Sequence, residues 1–394
     1  MHLTSSIHRD ELFQITGRWL RGILEPNDAL RLTEILICDG FVIGETLETV
    51  SNLLFKKTCG KPFHRKVIHM KGELRDAMCR GSRPLTPRIE ELFGRYQGNP
   101  DFYYREAPIN GVVYLDDNND IVGLYRVKRL RRIAEKANRR IANWIYGMVR
   151  AKAQEMAETR AKESGVPLER LYTPEDVMVE EFIEAEEFVA MAIRSGDISL
   201  DMKAMAINDV GGIKVVIDPE RLPELERVLI AHPLVRIVSK KSYDGKYKAI
   251  RWIVEATWDR EHVRRRFRDS NGWRRYLQRG ISEEKLREGL EPLLEGAHPT
   301  LCLELMFSNF ENFVESEMGD SIHEERIIAQ RENKEYRGYI PINVEFLVQY
   351  LFEVAFCPLV RIERLPIKLW GRYLPDTLIS QIRSLYNLPR RELY

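Results

Sequence analysis

The chain has 394 residues, more than one compact core usually holds, and its 61 lysines and arginines are balanced by 60 acids to a formal charge of +1. That balance excludes a protein whose whole surface coats a polyanion, so any phosphate binding has to be local. The cysteines at 38, 59, 79, 302 and 357 show no CxxC or Cys/His zinc spacing and read as reduced thiols. The leading MHLTSSIHRDELF has no signal-peptide apolar core, and no stretch approaches a membrane span, so the expectation is a cytoplasmic protein without membrane contact.

Residues 1–105 read as a mainly helical N-terminal domain of unassigned role. Within it, DALRLTEILICDGFVIGETLETVSNLLFKK has apolar residues at three-to-four spacing, with Gly40 and Gly44 breaking it. The basic stretch KKTCGKPFHRKVIHMKGELR, Lys56 to Arg75, has one aromatic residue, Phe63; a solvated charged face is the plain reading and RNA contact the other. GVVYLDDNNDIVGLY, Gly111 to Tyr125, predicts a β-hairpin around an Asp/Asn turn, which lacks the later acid an EF-hand needs. From Arg126 to about Ser195 the pattern is helical, with breaks at Gly165-Val-Pro167 and Thr173-Pro174. Then INDVGGIKVVID, Ile207 to Asp218, reads as a strand with an acid and two glycines at its mouth. A short helix PERLPELERVLIAHP, strands RIVSKK and KAIRWIVEATWD, charged helices over 260–295, the strand LCLELMF at 301–307 and a helix to about Glu335 follow. The last segment, 341–394, holds an aromatic helix and a basic tail. This alternation predicts an α+β fold in which a mixed β-sheet is flanked by helices.

The chain carries no GxxxxGK(S/T) phosphate loop, no GxGxxG after a strand, no HExxH and no GxSxG. What remains is polar residues at element ends: Asp209 before one strand, Glu304 within another, the pair Tyr247-Lys248, and a cationic helix start at Arg126-Val-Lys128. Two carboxylates with cations suit metal-assisted phosphoryl chemistry, because Mg²⁺ takes oxygen ligands and shares them with substrate phosphates. The plain readings are a turn aspartate, a loop tyrosine and a solvated helix face. Glu304 resists such a reading, because an unpaired acid inside an apolar strand is costly.

The order of these residues resembles the synthetase domain of the RelA/SpoT family, the enzymes that make (p)ppGpp, over about Arg126 to Tyr336. RVKRLRRIAEK is similar to the family's RVKSLxSIxxK, which puts Arg126, Lys128 and Lys136 on phosphate-contacting cations. DVGGIK resembles DxxGxR, with Asp209 as the Mg²⁺-binding aspartate and Lys214 where arginine is usual. DGKYKAIR resembles NGYxSLH, with Tyr247 stacking on guanine, Lys248 beside it and Arg251 where histidine is usual. LELMFSN followed by EMGDSIHE resembles VEVQIRT followed by EYGIAAHW, which places Glu304, Glu317, Gly319 and His323. Departures are Met306 and Ser308 in place of a polar and a cationic residue, Arg129 in place of serine, and an extra Lys246. A core over 106–340 would then contain a helical insertion at about 137–200, and no hydrolase His-Asp pair precedes it.

The resemblance implies Mg²⁺-dependent transfer of pyrophosphate from ATP to GDP or GTP, with Asp209 and Glu304 holding the metal and Glu304 as candidate general base. Arg126, Lys128, Lys136, Lys214, Tyr247, Lys248, Arg251, Glu317 and His323 would bind substrate. Rival readings are a catalytically silent protein that binds nucleotide or RNA, pyrophosphoryl transfer to an RNA 3′ end, and an assembly protein with an incidental α/β core.

Overall fold

The computed structural model describes residues 1–60, 62–245, 247–319, 339–355, 357–359 and 361–362. Its frame is a seven-stranded mixed sheet built from β2 (Phe63–Met70), β3 (Pro108–Asp116), β4 (Ile121–Val127), β6 (Gly211–Val216), β9 (Thr300–Ser308), β8 (Lys248–Thr257) and β7 (Val235–Asp244), in that spatial order. Only β6 and β9 run parallel; the other neighbours are antiparallel. A second, two-stranded parallel sheet joins β1 (His2–Leu3) to β5 (Ala206–Ile207).

Strand β9 shows why the sheet has two different faces. Leu301, Leu303, Leu305 and Phe307 are buried, while Glu304 and Met306 between them are half-buried on the opposite side. The apolar side packs under the helix α2 (Asp28–Cys59), joined by α1 (Arg9–Leu20) and α5 (Leu130–Glu163) in one large core. The other side carries a smaller core beneath α3 (Lys71–Cys79), α4 (Pro87–Gly98) and α11 (Phe310–Met318), which touches the β2–β4 half of the sheet. Beside those helices, over β4, β6, β9 and β8, the second face is open.

Two expectations for the N-terminal region are corrected. Helix α2 runs unbroken through Gly40 and Gly44, because neither glycine is crowded and a mid-helix glycine costs only about 1 kcal/mol against a long buried stripe from Leu32 to Phe55. The basic run after it holds an edge strand in place of helix: β2 turns most of its side chains to solvent, as a charged face does, and buries only Ile68. A third correction concerns Arg126, which lies within β4 next to its last residue; α5 begins only at Leu130.

The hairpin β3–β4 forms with Asn119 in the left-handed region at φ 61°. Helices α5 and α6 (Glu175–Ser195) fill the stretch expected to be helical, and the chain turns between them at Gly165 and Pro174. Strand β6 is followed by α7 (Leu222–Ala231), and α8 (Arg260–Asp269), α9 (Glu283–Arg287) and α10 (Glu291–Leu294) precede β9. A last helix, α12 (Tyr339–Val354), packs against α5. The expected helix to Glu335, His323 and most of the basic tail lie outside the described residues. No helix among the described residues is long and apolar enough to cross a membrane.

Candidate functional site

Strand register builds the site. Arg126, Gly212 and Glu304 stand in one row across β4, β6 and β9, and Leu124, Lys214, Met306 and Arg251 form the next row, ending on β8. Above the rows lies a cavity of about 510 Å³. Among the described residues, eight cationic side chains and three carboxylates line it, so its field favours an anionic ligand.

Asp209 owes its place to a break in pairing. Strand β5 ends at Ile207 and β6 starts at Gly211, so Asn208–Val210 leaves the ladder and presents the carboxylate to the cavity. The backbone amide of Lys128 donates to the Val210 carbonyl at 2.8 Å, and its Nζ lies 3.0 Å from Asp209 Oδ2. Lys136, in the second turn of α5, pairs with the same oxygen. Burial opposes ionisation of Asp209, but the two ammonium groups outweigh it and hold the carboxyl well below the usual carboxylate range. Burial also pulls Lys128 down, against the attraction of Asp209 and Glu304.

Glu304 takes the guanidinium of Arg251 on Oε1, Nε to oxygen 2.5 Å. Arg251 sits diagonally across the strand pair, opposite Met306. The two glycines of β6 divide their roles. A Cβ at Gly211 would stand 3.0 Å from Leu303 and 3.2 Å from Ile43, so this glycine lets α2 approach the sheet. A Cβ at Gly212 would meet Glu304 Oε2 at 3.6 Å, an ordinary contact on the cavity side. Gly211 thus serves the core, and neither glycine is required on the cavity side by steric need.

Glu317, in the last turn of α11, is sealed, its side chain 2% exposed. Its Oε1 accepts Lys214 at 2.5 Å with Arg126 at 3.8 Å, and Oε2 accepts Lys71 at 3.1 Å. Arg75 Nε donates to its backbone carbonyl at 2.9 Å. Burial works against the Glu317 carboxylate, yet Lys214, Lys71 and Arg126 hold it well below its usual range. Burial lowers Lys214 to about 8, opposed by Glu317 and assisted by repulsion from Arg126.

Of the residues expected from sequence, the cavity wall brings together Arg126, Lys128, Lys136, Asp209, Lys214, Tyr247, Arg251, Glu304 and Glu317. Lys248 is not on that wall; its backbone amide donates to Asn312 Oδ1 at 2.6 Å. Lys71, Arg132 and Tyr243 line the cavity without having been expected. A signal for the first existed: Lys71 and Arg75 fall at helical spacing with the buried Leu74 and Met78, so two cations stand in an apolar stripe.

The donor set fits a hard divalent cation in kind. Asp209 gives Oδ2 and Glu304 gives Oε1 to cations, and no partner among the described residues takes Asp209 Oδ1 or Glu304 Oε2. Mg²⁺ characteristically takes one or two carboxylates and completes its shell with water and substrate phosphate.

No family model and no curated protein matches the chain. Among solved structures, the small alarmone synthetase 1 from Bacillus subtilis matches with 13% identity over 76% of this chain and 92% of that chain, at a TM-score of 0.19. A superposition that loose carries no argument, and function has to be argued from the cavity.

Proposed function

We propose that the cavity transfers the pyrophosphoryl group of ATP to a ribose hydroxyl of a guanine nucleotide, in a Mg²⁺-dependent reaction of the kind the RelA/SpoT resemblance implies. The observation that carries this reading is a strongly cationic cavity in which two carboxylates, Asp209 and Glu304, each keep one uncommitted oxygen.

Such a transfer is mainly positioning and charge neutralisation. Arg126, Lys128, Lys136, Lys214 and Arg251 spread five cations around the space two phosphate chains would fill. Tyr247 would hold the purine by stacking, a gain on the order of 1–3 kcal/mol. Asp209 and Glu304 would hold Mg²⁺, which when bound supplies Lewis-acid neutralisation of phosphate charge. The acceptor hydroxyl oxygen bonds to the β-phosphorus of ATP, the bond from that phosphorus to the oxygen bridging to the α-phosphate breaks, and AMP leaves. Glu304, paired with Arg251 through Oε1, would accept the hydroxyl proton.

The test is incubation with Mg²⁺ and ATP labelled on the γ-phosphate, offering GDP, GTP or bulk RNA in parallel. Label on a guanine nucleotide, reduced on the order of 100-fold or more by Asp209→Asn, is the expected result. Label on RNA would transfer the reading to an RNA end. A second reading, binding without catalysis, draws on Met306, an apolar side chain between Lys214 and Arg251 on the cavity floor. Nucleotide-dependent stabilisation without transfer to any acceptor would favour it.

A further inference from the structure

Asp209 stands in the loop just before β6 and Glu304 within β9, and the ladder between those two strands is incomplete. Strand β9 starts at Thr300, but its pairing with β6 begins only at Gly212 against Glu304. The slot beside Cys302 is filled by the N-terminal segment. Cys302 donates its backbone N–H to the Thr4 carbonyl at 2.9 Å, and Ser5 Oγ donates to the Cys302 carbonyl at 2.6 Å. On its other side, Thr4 donates its backbone N–H to the Ile207 carbonyl at 3.1 Å, and its hydroxyl lies 3.0 Å from Asn208 Oδ1. One residue is thus hydrogen-bonded to the neighbour of Asp209 and to the strand residue two before Glu304.

The segment is itself locked. Asp39 of α2 receives Ser6 Oγ on one oxygen and His8 Nδ1, 2.5 Å away, on the other. His8 Nε2 lies 2.7 Å from the Leu293 carbonyl, and Arg9 donates to the Thr300 carbonyl at 3.0 Å. His8, Cys38 and Asp39 are close enough together to suggest a metal site. Both ring nitrogens and both carboxylate oxygens are already spent, however, and burial pushes the Cys38 thiol up, away from the thiolate a metal needs. Ser6 and His8, held by Asp39, fasten the N-terminal segment to α2.

We propose that residues 1–9 act as a positioning strap that sets Asp209 against Glu304, with Thr4 as its joint. The proposal rests on the reading that these carboxylates serve one reaction. A loop that leaves a ladder is free to move unless something else satisfies its backbone. Here Thr4 holds Ile207 and Asn208 from one side while Lys128 holds Asp209 and Val210 from the other. Positioning of reacting groups is sensitive to displacements near 1 Å, so loosening the joint reaches catalysis without removing a group that touches substrate.

The test compares Thr4→Val, close in shape but lacking the hydroxyl, with Thr4→Ser, which keeps it. Hydrogen exchange is read over 206–212 and 300–305. Faster exchange at 206–212 in Thr4→Val, restored in Thr4→Ser, is expected; equal exchange in all three proteins overturns the strap. In the transfer assay, Thr4→Val should lower kcat about tenfold at a KM changed by less than about twofold, with Thr4→Ser near wild type. An unchanged kcat in an active enzyme overturns the positioning role. If wild type transfers no label, the proposed activity falls, and the exchange measurement still decides whether the strap holds the loop.

Discussion

Three carboxylates line one cavity, and they live in two different worlds. Asp209 and Glu304 each give one oxygen to a cation and keep the other toward the cavity, whereas Glu317 has both oxygens engaged and is almost wholly out of solvent. The difference separates groups that can still serve a ligand from a group that holds cations in place. The largest expected effect tests this. Glu317→Gln leaves Lys71, Lys214 and Arg126 without their shared counter-charge, and removing one partner from a buried pair typically costs about 3–5 kcal/mol. Glu304→Gln breaks a partly buried pair that still reaches solvent and should cost less, about 1 kcal/mol, while abolishing transfer. Urea unfolding of the two variants decides it: equal losses of stability would erase the distinction.

The next effect concerns Lys214, the cation on which the sealed and open ends of the cavity meet. Burial, opposed by Glu317 and assisted by Arg126, brings it to about 8. Phosphate affinity should then fall as pH rises past that value, since the ammonium is lost, by about tenfold for one charge-assisted hydrogen bond worth about 1.5 kcal/mol. Lys214→Arg stays charged and should remove that fall. Stability of the free protein moves the other way: between about 8 and the ordinary lysine value of 10.5 the folded state has released a proton that the unfolded chain still holds, so stability rises with pH. Nucleotide titrations at pH 7 and pH 9.5 check the first sign, and urea midpoints check the second.

These regions also differ in how legible they were. Asp209 at a strand mouth, the β3–β4 hairpin and the paired helices over 130–195 can be read locally, because turn residues and periodicity are local properties. Strand β2 was not legible: an edge strand turns most of its side chains to water, so Phe63–Met70 looks like any basic run. Lys71 and Arg75 were only half legible: an apolar stripe marks them as cations drawn into a core, but their partner Glu317 lies more than two hundred residues away and nothing local names it. The strap was invisible on both counts, since Thr4 is a short polar residue whose partners, Asn208 and Cys302, meet it only through the parallel register of β6 and β9.

The smallest expected effect extends the comparison to a buried pair outside the cavity. His8 is drawn in two directions: burial lowers its pKa, but the hydrogen bond and charge of Asp39, with the Leu293 carbonyl, more than offset this and leave it raised above 6.5, while Arg31 pulls the other way. A histidine whose folded value exceeds its unfolded value stabilises fully below about 6.5 and loses that contribution as pH climbs through the folded value. His2 works in the opposite sense, because burial lowers it and the folded state gains as pH rises toward 6.5. The useful quantity is therefore the difference between wild type and His8→Gln, measured by urea unfolding from pH 5.5 to 8.5. That difference should be largest at the acid end and shrink with rising pH; growth in the alkaline direction would mean that His8 is neutral in the fold and that the strap is held by Ser6 and Arg9 instead.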